Sequence, residues 1–151
     1  MSVLYKPMSK EHIKAVTQIE RECFSHPWSE AAFYDELENP MSLTIVALYT
    51  DDGKENVKGF VNVRIVNDEV YINNIAVSKD FRRMGLGKGL LLSLEENVND
   101  KKASFITLEV RESNLPAISL YTSLGYKTVG KRKKFYRDPA EAAILMTKNL
   151  I

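Results

Sequence analysis

The chain has 151 residues, 44% hydrophobic and 27% charged, which suits one globular domain, residues 1–151, with a sizeable core. Its 21 Lys and Arg against 20 Asp and Glu leave a net charge of +1. That excludes a globally basic binder, so no stable nucleic-acid binding is expected. No run nears the roughly 18 apolar residues of a membrane span, Cys23 has no partner for an internal disulfide, and MSVLYKPMSKEHIK has no apolar signal core, which together predict a cytoplasmic protein without membrane contact.

Residues 3–8 predict a short strand. Ser9 then reads as the N-cap of a helix to about Cys23, with Ile13, Val16, Ile19 and Cys23 on one stripe. Cys23 reads there as a small buried hydrophobe. Ser29 caps a second helix that ends near Pro40, and Trp28 and Phe33 stand at the N′ and N4 positions of a hydrophobic staple. SLTIVALYT (42–50) predicts a strand, DDGKEN (51–56) a turn-rich stretch and VKGFVNVRIV (57–66) another strand. Asn67-Asp68 predicts a tight hairpin into EVYINNIAV (69–77). Within that strand the apolar phase slips at Asn73-Asn74, the mark of a β-bulge.

The glycine-rich stretch RRMGLGKG (82–89) precedes a predicted helix at about 87–99, whose stripe is Leu86, Leu90, Leu91, Leu94 and Val98. SFITLEVR (104–111) predicts a strand. Asn114 and Pro116 start a helix that runs through Leu124 and is closed by Gly125. YKTVGKRKKFY and AAILMTKNL predict two closing strands. The order implies a mixed α/β (α+β) fold with a mostly antiparallel sheet.

A strand, a glycine loop and a helix N-terminus make an anion site, because unpaired N–H groups converge where the helix dipole favours negative charge. Arg82, Arg83 and Lys88 add cations. The bland reading is a solvated glycine-rich connection. A Walker A loop fails, because Gly89 follows Lys88 where Ser or Thr is needed and Arg82 stands where the first glycine belongs. The G-x-G-x-x-G fingerprint also fails, with Leu90 at the third glycine, although Glu109 stands about where a ribose-binding acid would. Arg82-Arg83-Met84-Gly85-Leu86-Gly87 fits R/Q-x-x-G-x-G/A at every position.

That last pattern resembles the pyrophosphate loop of the GNAT acyl-CoA N-acyltransferase superfamily. INNIAVSKDFRRMGLGKGLL and LEVRESNLPAISLYTSLGYK resemble its fourth strand, loop and third helix, and its fifth strand and fourth helix. FSHPWSEAAF and the run LEVRESNLPAISLY…LGY are most similar to the bacterial ribosomal-protein-alanine N-acetyltransferase (RimI) family, and the superfamily resemblance covers about residues 3–149. It implies a GNAT fold whose sheet splays around the cofactor. It also implies acetyl-CoA as co-substrate, no metal, and N-terminal acetylation of an alanine-initiated protein, expected to be a small-subunit ribosomal protein, by an enzyme expected to be a monomer. A lysine side chain, another protein N-terminus or a small amine is the alternative acceptor.

The same resemblance assigns roles. Glu109 is implied as general base and Tyr121 as general acid. The backbone of Ile75, Ala76 and Val77 would meet the pantetheine arm, and Arg83, Met84, Gly85, Leu86, Gly87 and Lys88 would cradle the pyrophosphate. Asn114 would touch the coenzyme, while Trp28 and Tyr136 would wall the acceptor side. His12 and His26 have no Ser, Cys or Asp pattern around them, so neither a hydrolase triad nor a metal site is expected. Lys131-Arg132-Lys133-Lys134 reads as a solvated face.

Overall fold

The computed structural model describes residues 2–151. The chain opens with β1 (Val3–Pro7), a 3₁₀ turn (Lys10–His12), α1 (Ile13–Cys23) and α2 (Glu30–Glu38). A meander follows: β2 (Ser42–Asp51), β3 (Lys54–Val66) and β4 (Glu69–Val77). Next come α3 (Leu86–Asn99), β5 (Phe105–Arg111), α4 (Leu115–Ser123), β6 (Lys127–Tyr136) and β7 (Glu141–Asn149). The seven strands form one sheet in the order β1-β2-β3-β4-β5-β7-β6.

Thr44–Leu48 of β2 is buried without a break, because both faces of the sheet are covered there. Ile45 and Ala47 join the core beneath α3 with Leu90, Leu91, Leu94 and Val98. Val46 and Leu48 join the opposite core with Ile13 and Val16 of α1 and Phe33 of α2. The α3 stripe is buried as its spacing predicts. Trp28 and Phe33 lie 5.5 Å apart between ring centroids, so the staple is formed.

Three local expectations are revised. Ser9 precedes a 3₁₀ turn rather than α1 itself, and its N–H donates to His12 Nδ1 at 3.0 Å. The turn at 51–56 is tighter than its composition suggests. Asp52 and Gly53, both at positive φ, close a two-residue hairpin in which Asp51 pairs with Lys54, so Lys54–Asn56 are already strand. Cys23 is half-buried at the end of α1, and its thiol donates to the Val77 carbonyl at 3.7 Å.

The sheet is antiparallel except between β4 and β5. Those two strands pair in parallel for three residues only, Glu69↔Phe105, Val70↔Ile106 and Tyr71↔Thr107, and then part. The bulge stands at the parting: Asn62 pairs with Asn74 and Val63 with Ile72, which leaves Asn73 as the extra residue. The phase slip read from the sequence is this bulge.

Candidate active site

Where β4 and β5 separate, a cleft of about 630 Å³ opens. Ile75 of β4, Glu109 of β5, Asn114 and Tyr121 of α4, Trp28 and Tyr136 all line it. A second opening of about 780 Å³ shares Trp28, Asn73, Glu109 and Tyr136 with the first and continues over Thr107, Thr147 and Tyr71. Glu109 therefore faces both.

Each wall follows from the ladder. Ser78 N–H donates to the Lys58 carbonyl at 2.8 Å. Counting back through Gly59↔Val77, Phe60↔Ala76 and Val61↔Ile75, the alternation of an antiparallel pair commits the polar groups of Ala76 to Phe60. Those of Ile75 and Val77 turn away from β3, toward the gap. The Val77 carbonyl is already taken, by Arg82 Nε at 3.4 Å and by the Cys23 thiol. Ile75 keeps the free backbone edge. Of the three residues expected to present backbone groups, Ala76 is thus spent in the sheet.

The glycine loop continues from the end of β4. Gly85 sits at φ 84° as the N-cap of α3, and Arg83 is also left-handed at φ 64°. The N–H groups of Leu86, Gly87 and Lys88 have no partner within the helix. Arg82 folds back, with Nη2 3.3 Å from Cys23 Sγ, and so leaves Arg83 and Lys88 as the loop's outward cations. Gly89 has a different reason: a Cβ there would overlap the Tyr5 hydroxyl, so glycine lets β1 pack against α3.

Glu109 is about 29% exposed in its side chain; Oε1 lies 3.6 Å from Arg132 Nη2, and Oε2 is buried without a hydrogen-bond partner. A buried carboxylate oxygen with no donor is costly, and a donor on an incoming group would satisfy it. Tyr121 is buried, 5% exposed, and tilted against Tyr126 at 5.7 Å. Burial first, then the neighbouring Tyr136, pushes its hydroxyl well above the usual tyrosine range, so it keeps its proton. Tyr136 is likewise raised, by burial and then by Glu109, and Arg111 stacks on its ring at 4.5 Å. Asn114 caps α4, its side chain accepting from Ala117 N–H at 3.3 Å.

The profile of the acetyltransferase (GNAT) family matches residues 13–126. The chain belongs to the GNAT acetyltransferase family. A Salmonella typhimurium relative named [ribosomal protein bS18]-alanine N-acetyltransferase is 36% identical over 142 residues, 92% of this chain and 92% of its own. The crystal structure of the ribosomal-protein-S18-alanine N-acetyltransferase from Escherichia coli superposes with a TM-score of 0.87 at 32% identity, covering 99% of this chain and 94% of that one. Arabidopsis thaliana NAA60 in complex with acetyl-CoA has a TM-score of 0.89 at 20% identity, covering 99% of each chain, and shares the GNAT fold.

The GNAT cleft also contains residues that the sequence reading passed over. Glu20 of α1 is 1% exposed. Its Oε2 accepts from the Trp28 N–H at 2.9 Å, and Asn74 Nδ2 reaches Oε1 and Oε2 at 2.9 and 2.8 Å. Asn73 Nδ2 donates to the fully buried Asn62 at 2.9 Å, and Asn62 donates to Thr44 Oγ1 at 2.8 Å. Position 20 stands four residues after Val16 and seven after Ile13, so its place on the apolar stripe was the available signal. Of the basic run, Lys131 pairs with Glu112 at 3.0 Å and Arg132 with Glu109, while Lys133 and Lys134 are exposed.

Proposed function

We propose that this GNAT enzyme transfers acetyl from acetyl-CoA to the α-amine of an alanine-initiated protein N-terminus, as the names of its relatives suggest, and that a ribosomal protein is the acceptor. The observation that carries the mechanism is the pairing, in one cleft, of an unpartnered carboxylate oxygen on Glu109 with a protonated Tyr121. An α-amine has a pKa of roughly 7.7–8.0, so near neutrality it must lose a proton to become a nucleophile. Glu109 Oε2 accepts that proton. The amine nitrogen bonds to the thioester carbonyl carbon, the carbon–sulfur bond breaks, Tyr121 gives its proton to the leaving sulfur, and the second proton shed by the nitrogen returns to the Tyr121 oxygen through water. The free edge at Ile75 orients the acyl arm. The unpaired N–H groups of Leu86–Lys88, with Arg83 and Lys88, suit the pyrophosphate, and Met84 and Gly85 complete that loop. Asn114 lies on the coenzyme side of the cleft. Trp28 and Tyr136 stand on the acceptor side, where they limit the size of the first residue.

Mass spectrometry of three acceptors in competition tests the assignment. An alanine-initiated ribosomal peptide should gain one acetyl group at its α-amine. An N-blocked lysine peptide and a polyamine should gain little. Preferential labelling of either of these moves the acceptor to the lysine or small-amine class and leaves the family intact.

A further inference from the structure

Glu20 carries the site's least expected chemistry. A carboxylate this deeply buried costs stability unless its oxygens are satisfied, and among the described residues no Lys or Arg forms an ion pair with it. An apolar residue would fit the α1 stripe at lower cost. The carboxylate's hydrogen bonds go instead to two segments of the cleft lining: the Trp28 N–H, on the loop between α1 and α2, and the Asn74 amide, at the β4 bulge. These segments are 46 residues apart in sequence and belong to different elements. Trp28 lines both openings next to Glu109, and Asn74 directly precedes the free edge at Ile75.

We infer that Glu20 is a positioning residue that fixes Trp28 against the bulge and so sets the size of the pocket for the acceptor's first residue. It touches neither substrate. It acts through Trp28 on the acceptor side and through Asn74 on the strand that orients the acyl arm. The carboxylate accepts from two donor groups at once, the Trp28 N–H and the Asn74 amide nitrogen, which reaches both oxygens; a glutamine would offer one oxygen and turn an NH₂ group toward a donor. The inference rests on the acceptor assignment above for its effect on selectivity. Its effect on Trp28 stands independently.

The test uses Glu20→Gln in the full chain, with Asn74→Ala as the partner substitution. Steady-state kinetics with peptides beginning Ala, Met and Leu should show the Ala-peptide KM rising about tenfold and the preference for Ala over Leu falling, as loss of hydrogen bonds to a charged group predicts. The acetyl-CoA KM should stay within about twofold. The double variant should be less than additive. Trp28 is the only tryptophan, so its emission reports the wall directly. In Glu20→Gln it should shift to the red and become more open to acrylamide quenching. Unchanged emission together with unchanged acceptor KM and selectivity, even with a lowered Tm, would make Glu20 a purely structural residue and overturn the inference. If the wild type labels no α-amine, the acceptor assignment falls, and the Trp28 emission still decides the role of Glu20.

Discussion

The two walls of the cleft are held by different physics. The β4 wall is fastened from beneath by a fully buried hydrogen bond, Asn62 to Thr44, and by two half-buried ones, Asn73 to Asn62 and Asn74 to Glu20. The opposite wall, formed by β5 and the β6–β7 hairpin, is held by the half-buried Arg111–Glu141 pair at 3.3 Å and otherwise by contacts nearer the surface. Arg132 lies over Glu109, Lys131 pairs with Glu112, and His26 reaches Asp138 at 2.9 Å across the mouth. Buried bonds in low dielectric tolerate little displacement, whereas exposed ion pairs are weak and screened by salt. The β4 side, with Trp28 tied to it through Glu20, should therefore be the more rigid, and the hairpin side the more adjustable. Breaking each wall should reveal that asymmetry.

The largest effects should belong to Glu109 and Tyr121, the proposed reacting groups between the walls. Glu109→Gln should lower kcat by about 10²–10⁴-fold, the span of a lost general base, with acetyl-CoA affinity by calorimetry unchanged. Tyr121→Phe should cost about 10²-fold in kcat, since water can partly replace the acid, again without weakening acetyl-CoA. An intact rate in Glu109→Gln would mean that the orphaned Oε2 is not the proton acceptor.

Packing beside the rigid wall comes next. Gly89→Ala places a methyl group on the Tyr5 hydroxyl and should destabilise the fold by about 1–3 kcal/mol in denaturant unfolding. Removing the obstacle in Gly89→Ala/Tyr5→Ala should make the pair less than additive. An additive pair would show that the glycine answers to the loop and not to β1.

What was legible in the sequence was local. The hairpin at Asn67-Asp68, the α3 stripe and the bulge at Asn73-Asn74 all follow from periods of two or 3.6 residues and from turn chemistry within a few positions. The parallel β4–β5 pair and its parting join segments 36 residues apart, and no local pattern specifies where they separate. Gly89 was read as part of a phosphate loop because its true neighbour, Tyr5, lies at the other end of the chain. No local pattern singles out the role of Glu20, since its partners are an amide proton eight residues on and a side chain 54 residues away. Glu109 and Tyr121 came from family resemblance; the geometry adds that one has an empty acceptor oxygen and the other a guarded proton.

The buried carboxylate makes a signed prediction about pH. Burial raises the Glu20 pKa above the ordinary carboxylate range, and its bonds to Trp28 and Asn74 offset this only in part. The folded state then binds a proton more tightly than the unfolded chain does, so the contribution of this group to stability falls as pH rises through that window. Glu20→Gln does not titrate. The Tm of the wild type minus that of Glu20→Gln should therefore decrease from the unfolded carboxylate range upward and level off above the folded pKa. A difference that rises with pH would mean that the bonds from Trp28 and Asn74 outweigh burial.

The smallest effect should lie on the adjustable wall. His26 and Asp138 are 69% and 74% exposed in their side chains, so their contact spans the mouth of the cleft but remains in water. His26→Ala should change unfolding stability by less than about 1 kcal/mol, under about 3 °C in Tm. Measured below about pH 6, where an exposed imidazole of ordinary kind carries charge, the difference between wild type and variant should vanish near 1 M salt, where the screening length is about 3 Å. The acceptor KM is the more telling readout, because the pair joins the Trp28 loop to the hairpin tip. If His26→Ala shifts that KM as much as Glu20→Gln does, the surface clasp positions the acceptor as firmly as the buried carboxylate, and the two walls are not different after all.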